Sequence, residues 1–341
     1  MVSSLARLAL VVASLCGLAF PAAADDFYRG KQVNFVVSAD AGNSYDAFAR
    51  LLARYLPKYI PGEPGFIVQN MPGAGGLRAA NWLYNAAPKD GLTIGMLNNT
   101  LAFDPLYGNK QAQYDAMKFN WLGTPSQESA MLIVWRTVPV DTIEQAKSRE
   151  LVLSATGNGS TPAFFARVLA SLFDLRVRII PGYKSQRDAF LAMERGENDG
   201  NASPFWTALM SESPQLVTEK QIKILVYYGN RDPEIPARHV LDIVTDPEKR
   251  AIMEVAQAGL AMGRPVTAPP GVDPSRIAIL RKAFDAVLVD KDYLAECARA
   301  RLNCSQPSGG LAMLDFVKKI YASPKSAVDR ITAIYMEGQG G

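Results

Sequence analysis

The stretch at residues 68–100, VQNMPGAGGLRAANWLYNAAPKDGLTIGMLNNT, has the pattern of a strand, a glycine turn, a helix, a second turn and a second strand. Proline removes a backbone donor and glycine frees the backbone from side-chain sterics, so the PGAGG run ends the strand predicted at 66–69. Apolar residues recur at helical spacing from Leu77, and a turn at 88–91 precedes the strand predicted at 93–97. This pattern predicts one βαβ unit with two parallel, buried strands.

The glycine turn of this unit is a candidate anion site. Backbone amides and the positive end of a helix would face a crevice there, which suits a carboxylate as well as a phosphate. The turn is not a nucleotide signature, because it lacks both G-x-G-x-x-G and the Lys-Ser/Thr ending of a P-loop. A tight turn that only lets the helix pack on the sheet is the alternative.

Polar turns follow other predicted strands as well. In chain order these turns are GNSYD at 42–46, NNT at 98–100 and TGNGST at 156–161. The ligands of open α/β sheets bind outside the carboxyl ends of the strands. The recurrence therefore predicts a single crevice to which several strand ends contribute donors.

A chain of 341 residues is long for one core and favours two lobes. The strand-turn-helix pattern of the first hundred residues recurs in the middle of the chain. We predict an α/β fold in which residues 25–122 and 255–341 form the first lobe and residues 123–254 form the second. An outgoing and a return crossing between the lobes imply a cleft between them.

The first residues have the pattern of a secretory signal peptide. Arg7 precedes an apolar run at 8–20, which is too short to span a membrane, and an A-x-A site predicts cleavage after Ala24. The mature protein is therefore predicted to be exported. Cleavage removes Arg7 and no acid, so the formal charge falls from +3 to +2, a balance that does not indicate nucleic-acid binding.

Two cysteines remain after cleavage, Cys297 and Cys304. In an oxidising compartment they could form a disulfide that closes a small loop, and free thiols are the alternative. Neither lies near His239 or an acidic cluster in the sequence, so we predict no metal site and no cofactor.

Several motifs together resemble one family. They are GNSYD at 42–46 with ARLLA at 49–53, VQNMPGAGG at 68–76, APKDG at 87–91, PGYK at 181–184 and RGENDG at 195–200. The chain resembles the tripartite tricarboxylate transporter receptors, also called the Bug family, over nearly all of its mature length. The resemblance implies a two-lobed, type II-like Venus-flytrap fold that closes on a small organic carboxylate and delivers it to the permease subunits of a membrane transporter. It implies a periplasmic location and no catalysis, and we expect a monomer.

The resemblance also implies ligand contacts from the loops that follow the first strands of each lobe. The first loop of this chain departs from most relatives, because Asn43 and Ser44 stand where glycine is commoner. Matching positions are Gly42, Asn43, Ser44, Tyr45, Asp46, Ala74, Gly75, Thr156, Gly157, Asn158, Gly159, Ser160, Thr161, Tyr183 and Asp199. Further candidates follow from their positions at the ends of predicted strands: Asn98, Asn99, Thr100 and Lys184.

Each of these residues also has an ordinary structural reading. Asn43 could only cap a helix, Tyr183 could be a half-buried core residue, Lys184 could be solvated, and Asp199 could only form a turn. The sequence leaves these alternatives open.

Three other functions compete with transport. A hydrolase is disfavoured because G-x-S-x-G is absent and the single histidine, His239, lies in a polar connector. The signal peptide and the lack of a helix-turn-helix argue against the sensing domain of a transcription regulator. An exported receptor that reports to a membrane signalling partner is not distinguished from a transport receptor by the sequence.

Overall fold

A computed structural model describes residues 27–339 of the chain. The predicted signal peptide and its cleavage after Ala24 lie outside these residues. Within residues 27–339 no helix combines the length and the apolar character needed to cross a bilayer. The strands form two separate sheets, each accompanied by helices, so the predicted two-lobed α/β fold is confirmed.

The first sheet has six strands in the order β11-β4-β10-β3-β1-β2. Its strands are β1 (Gln32–Val37), β2 (Gly65–Asn70), β3 (Thr93–Met96), β4 (Asn120–Thr124), β10 (Val266–Ala268) and β11 (Ser308–Gly309). β1 pairs in parallel with both β2 and β3, and Val37 lies opposite Asn70 on one side and Met96 on the other. The carboxyl ends of three strands therefore reach the same edge of the sheet.

Two details differ from the predicted βαβ unit. β2 and β3 run parallel, but β1 lies between them, so they are not neighbours. The prediction of a buried β2 is wrong, because β2 is the edge strand and its residues alternate between exposed and half-buried positions. β3 is buried throughout.

The second sheet has five strands in the order β7-β6-β8-β5-β9. Its strands are β5 (Ser129–Trp135), β6 (Glu150–Ser154), β7 (Arg176–Ile180), β8 (Gly200–Asn201) and β9 (Ile222–Gly229). β6 runs parallel to β7 and β8, whereas β5 runs antiparallel to β8 and β9. The second-lobe loop of the predicted site, residues 156–161, follows the carboxyl end of β6.

Helices connect and flank these strands. In chain order they are α1 (Ser44–Tyr55), α2 (Leu77–Asn85), α3 (Thr161–Phe173), α4 (Gln186–Glu194), α5 (Trp206–Glu212), α6 (Gln215–Thr218), α7 (Val240–Ile243), α8 (Pro247–Ala256), α9 (Ala258–Met262), α10 (Pro274–Leu288), α11 (Lys291–Arg299), α12 (Gly310–Tyr321) and α13 (Lys325–Gln339). Asn43 caps α1, since its side chain accepts a hydrogen bond from the Asp46 amide at 3.0 Å.

Two short segments connect the sheets. We call residues 125–128, between β4 and β5, the outgoing crossover, and residues 263–265, between α9 and β10, the return crossover. The Arg264 amide donates to the Thr124 hydroxyl at 3.0 Å, and the Glu128 amide donates to the Leu260 carbonyl at 3.0 Å. The two crossovers therefore lie side by side.

The last helix ties the end of the chain to the second sheet. α13 packs against α3 and α8, although the predicted boundaries assign residues 325–339 to the first lobe. The lobe boundaries thus remain a prediction, and this contact would place α13 with the second sheet.

Two apolar clusters fill the interior, and β1 contributes to both. Phe35 packs in a cluster with α1 and α10, whereas Val36, on the opposite face of β1, belongs to a larger cluster. The larger cluster includes Ile133 of β5 and Ile331 of α13. The two sheets therefore share one continuous apolar cluster.

The structure joins Cys297 and Cys304 in a disulfide, with their Cα atoms 6.2 Å apart. Cys297 is buried near the end of α11, so the bond fastens the following loop to the first lobe. A double Cys297→Ala/Cys304→Ala variant should lose about 2 to 3 kcal/mol of unfolding free energy, because a closed loop restricts the unfolded chain. Urea unfolding measures this loss. Treating the parent protein with a reductant should reproduce it, and a parent whose midpoint is unmoved by reductant would contradict the prediction.

Candidate functional site

A cavity of about 300 Å³ lies between the lobes and is bounded by residues of both. We call it the aromatic cavity. A second cavity of about 800 Å³, the polar cavity, adjoins it. Both are lined by Asn98, Asn99, Thr100, Gly159 and Thr161, which we call the polar edge.

About half of the predicted site residues line these cavities. Those brought together are Ser44, Tyr45, Ala74, Gly75, Asn98, Asn99, Thr100, Gly159 and Thr161. Those that line neither cavity are Gly42, Asn43, Asp46, Thr156, Gly157, Asn158, Ser160, Tyr183, Lys184 and Asp199.

The first turn of α1 supplies Ser44 and Tyr45 to the aromatic cavity. Asp46 is buried behind them, where its carboxylate accepts hydrogen bonds from the Gly42 amide at 2.9 Å and from Asn70 at 3.0 Å. Burial would raise the pKa of Asp46, but hydrogen bonds from Arg50 and Gly42 lower it below its ordinary value. Asp46 thus holds the loop in shape and does not line the cavity.

Tyr45 connects three parts of the site through its hydroxyl. This hydroxyl accepts from the Asn99 amide at 3.3 Å and donates to Asn98 Oδ1 at 3.3 Å or to the Gly263 carbonyl at 3.4 Å. Burial raises the pKa of Tyr45 above its ordinary value. Because the hydroxyl is engaged by the protein, Tyr45 presents its ring to the cavity.

The glycine turn after β2 faces the polar cavity. Asn98 Nδ2 donates to the Gly75 carbonyl at 3.4 Å, which links the turn to the end of β3. Gly75 has a φ of +63°, and a Cβ placed there would meet no described atom within 4 Å. Gly75 therefore opens onto the cavity.

The start of α3 supplies Gly159 and Thr161 from the second lobe. Two other residues of the preceding loop are hydrogen-bonded within the protein. Ser160 donates to the Gly157 carbonyl at 2.6 Å, and the Asn158 carbonyl accepts from Arg167 at 2.8 Å. Gly338 of α13 also packs on this loop, since a Cβ there would lie 2.9 Å from the Asn158 carbonyl oxygen.

The remaining predicted residues of the second lobe lie elsewhere. The Tyr183 hydroxyl accepts from Asn198 at 3.3 Å, and Lys184 is exposed. Asp199 receives two hydrogen bonds from Arg149, at 3.0 and 3.1 Å, and one from the Val152 amide at 2.8 Å. Asp199 precedes its strand, whereas the site lies where strands end. We therefore leave all three residues out of the proposed site.

Sequence reasoning missed the one pair of charged side chains that lines the aromatic cavity among the described residues. Arg264 of the return crossover pairs with Glu128 of the outgoing crossover, and their side chains are 12% and 3% exposed. Arg264 also donates to Ser126 Oγ at 3.1 Å, and Glu128 accepts from the Thr207 hydroxyl at 3.0 Å. The two charges therefore neutralise each other within the wall.

Sequence reasoning also missed most of the apolar wall. The rings of this wall are Phe103, Tyr107, Phe164, Phe165, Phe205 and Tyr335. They come from distant parts of the chain, so only their packing reveals a shared cavity. Helical spacing predicts that Phe165 points inward, but a core position and a cavity wall look alike in sequence.

The single histidine of the chain lies away from the candidate site. His239 is buried outside both cavities, where it caps α7 by accepting from the Leu241 amide at 3.2 Å. Burial lowers the pKa of His239 below its ordinary value. Across residues 27–339 no three His, Cys, Asp or Glu side chains group together as a metal site would require.

Two α/β lobes, adjacent crossovers and a cleft with donors from both lobes define a two-lobed solute-binding protein. Residues 49–299 match the family described as Tripartite tricarboxylate transporter family receptor. The chain belongs to this family.

Relatives and solved structures agree with this assignment. A UPF0065 protein of Bordetella bronchiseptica is 39% identical over 119 residues, which span only 35% of this chain and 34% of that protein. A UPF0065 protein of Cupriavidus necator is 26% identical over 307 residues, 86% of each chain. A TctC solute-binding protein from Polaromonas has a TM-score of 0.70 at 16% identity, over 90% of this chain and 98% of that one. MatC from Rhodopseudomonas palustris, solved with bound malate, has a TM-score of 0.54 at 20% identity, over 90% and 99%.

Proposed function

We propose that this chain is a periplasmic receptor that binds a small organic carboxylate between its lobes and delivers it to a permease of the tripartite tricarboxylate type. One observation supports the binding step above all others. The N-terminal turns of α1 and α3, one from each lobe, line the same cavity through Ser44 and Thr161. Each helix start carries a partial positive charge, so the two ends together favour a bound anion.

The neighbouring side chains support an anion held mainly by neutral groups. The polar edge offers the side-chain amide of Asn99 and the hydroxyls of Thr100 and Thr161. The charged pair in the aromatic cavity is already neutral. We therefore expect affinity to depend weakly on ionic strength, because few free charges take part.

Closure of the lobes is the proposed mechanism. A ligand that contacts both helix starts favours the closed form, and bending at the two crossovers would allow the motion. The family supports delivery to a permease, and a permease that recognises only the closed form would receive only loaded receptor.

A thermal-shift screen of the mature protein tests this proposal. Malate, adipate, benzoate and further organic acids are added one at a time, and a bound acid raises the melting temperature because it binds only the folded state. A protein that no acid stabilises, but that turns over an ester substrate, would instead support an enzyme.

The glycine turn provides a mutational prediction. Gly75→Phe should weaken carboxylate binding at least tenfold, because the new ring would occupy the polar cavity. The stability cost should stay at about 1 to 2 kcal/mol, the strain of a left-handed residue, since a Cβ meets open space there. Calorimetric titration and urea unfolding measure the two effects.

Gly42→Phe is the matched control for this variant. Gly42 also has a positive φ, +84°, and open space around its Cβ, but it lines neither cavity. It should lose similar stability and keep its affinity. Equal affinities of the two variants would remove the glycine turn from the site.

Asp104 in the polar cavity provides a prediction of pH dependence. Burial raises its pKa to about 6, although a hydrogen bond from Asn109 opposes the rise. In the unfolded chain Asp104 ionises near pH 4, so its contribution to stability is complete below that pH and is lost as the pH rises to 6. Asp104→Asn should therefore raise stability at pH 7.5, by at most about 3 kcal/mol, and leave stability at pH 3.5 nearly unchanged.

The same charge should weaken anion binding. Affinity for a carboxylate should increase in the parent as the pH falls from 7.5 to 5.5, and this dependence should be reduced in Asp104→Asn. Asp40→Asn removes the same charge from an exposed position and serves as the control. If both variants keep the parental pH profile of affinity and stability, Asp104 does not titrate as stated.

A further inference from the structure

The walls of the aromatic cavity narrow the class of carboxylate, and the inference rests on the proposed function. Rings cover the cavity from several directions. Phe103 and Tyr107 come from the loop after β3, Phe164 and Phe165 from α3, and Tyr335 from α13. Such a wall favours a ligand with an apolar body, because the rings provide large apolar surfaces and few hydrogen-bond partners.

Two of the tyrosines that line the aromatic cavity, Tyr107 and Tyr45, offer little polarity. The Tyr107 hydroxyl donates to the Val255 carbonyl at 3.0 Å, and the Tyr45 hydroxyl is held between Asn98, Asn99 and Gly263. Their polar atoms are therefore used within the protein. What these residues present to a ligand is ring carbon.

The rings are also held in place before any ligand arrives. Phe165 is buried and packs on Tyr228 with ring centroids 4.5 Å apart, and Phe103 packs edge-on against Phe316 at 6.3 Å. A preformed wall fits a compact, rigid body better than a flexible chain, since less freedom is lost on binding. The volume of about 300 Å³ lies at the small end of ligand sites, which span about 300–1,000 Å³.

The donors and charged groups that line the aromatic cavity suit a ligand with one carboxylate and not a ligand with two. Donors concentrate at the polar edge, where the aromatic and polar cavities meet. Away from that edge, the charged groups lining the aromatic cavity within the described chain are Arg264 and Glu128, which already pair with each other. A second carboxylate beside the rings would lose its hydration without gaining a free cation, and the Glu128 carboxylate would repel it.

We propose that the ligand is a monocarboxylate whose apolar body is a single ring. Its carboxylate binds at the polar edge between the starts of α1 and α3, and its ring packs against the aromatic wall. This class differs from the dicarboxylate malate, with which the similarly folded MatC was solved.

Calorimetric titration of the mature protein with a matched series of acids tests this inference. Benzoate and cyclohexanecarboxylate should bind at least tenfold more tightly than malate or adipate. Terephthalate, which adds a second carboxylate to the benzoate ring, should bind at least tenfold more weakly than benzoate. If malate, adipate or terephthalate binds more tightly than benzoate, the inference is overturned while the receptor function stands. If no organic acid binds, the receptor function itself fails.

A variant of the wall adds a second measurement. Phe164→Ala should weaken benzoate binding at least tenfold, whereas Phe190→Ala, at a half-buried phenylalanine of α4 outside the cleft, should not change it. Phe164→Leu keeps part of the apolar contact and should retain part of the benzoate affinity. This variant tests the contact even if Phe164→Ala fails to fold. Benzoate affinities within twofold of the parent in both Phe164 variants would overturn the placement of the ring.

Discussion

Gly263→Ala is expected to destabilise the protein by about 3 to 5 kcal/mol, through backbone strain and overpacking. Gly263 begins the return crossover with a φ of +58° and a ψ of −104°, a conformation that side chains disfavour. A Cβ there would lie 1.7 Å from the Ser126 carbonyl oxygen of the outgoing crossover. The two backbones would have to separate, which would also disturb the bond from Tyr45 to Gly263.

Urea unfolding of Gly263→Ala beside Gly196→Ala isolates the cause. Gly196 also has a positive φ, +76°, but open space surrounds its Cβ, so it should show only the strain of a left-handed residue, roughly 1 to 2 kcal/mol. If the two variants lose equal stability, the crossovers can move apart freely and their close contact does not stabilise the fold.

The second large effect concerns the buried ion pair. Glu128→Leu should cost about 3 to 5 kcal/mol, because it leaves the Arg264 guanidinium buried without its counter-charge. Arg264 stacks over Phe48 at 4.8 Å and is 12% exposed, so water cannot replace the lost partner fully. The double variant Glu128→Leu/Arg264→Met should return to within about 1 kcal/mol of the parent, since an apolar pair of similar size needs no compensation.

The exposed pair of Lys325 and Asp329 provides the comparison, with side chains 86% and 60% exposed. Asp329→Leu should change stability little, because solvent screens the pair. Urea unfolding of the parent, Glu128→Leu, the double variant and Asp329→Leu measures these differences in stability. A double variant as unstable as Glu128→Leu alone would mean that packing, and not the uncompensated charge, causes the loss.

Local patterns were enough to predict much of the fold. The polar turns after β1, β3 and β6 could be placed because a strand of alternating or continuous apolar residues changes abruptly to small polar residues. Capping chemistry predicts the start of α1 at Asn43 or Ser44 and the start of α3 at Thr161, whereas the cap of α3 is Ser160. The sequence predicts four C-terminal helices at 275–289, 292–301, 309–321 and 325–336, and the observed helices lie within a few residues of these bounds.

Short strands and long-range contacts could not be predicted in this way. β10 has three residues and β11 has two, too few for any periodicity, yet β10 lies between β3 and β4 in the first sheet. The sequence at 102–128 is rich in aromatic residues and predicts an irregular segment, but β4 lies inside it. Its Trp121 is fully buried, so tertiary packing decides the strand.

In the candidate site, too, local patterns could be predicted and long-range contacts could not. Strand ends could be predicted to supply donors such as Asn99 and Thr161, because chain direction alone determines which edge they reach. The partners Glu128 and Arg264 lie far apart in the chain, and no local pattern relates them. The sequence suggests Asp199 as a site residue because it lies beside a glycine. It precedes β8, however, and its carboxylate accepts a hydrogen bond from Arg149.

The apolar cluster that spans both sheets has a consequence for how the receptor opens. The proposed closure would involve more than bending at the two crossovers, because Tyr107 and Tyr335, with ring centroids 5.8 Å apart, lie in or against the same cluster that includes β5. A wide separation of the lobes would expose part of this cluster to water, which costs free energy in proportion to the apolar area exposed. The cluster therefore favours a small change of angle over a large one.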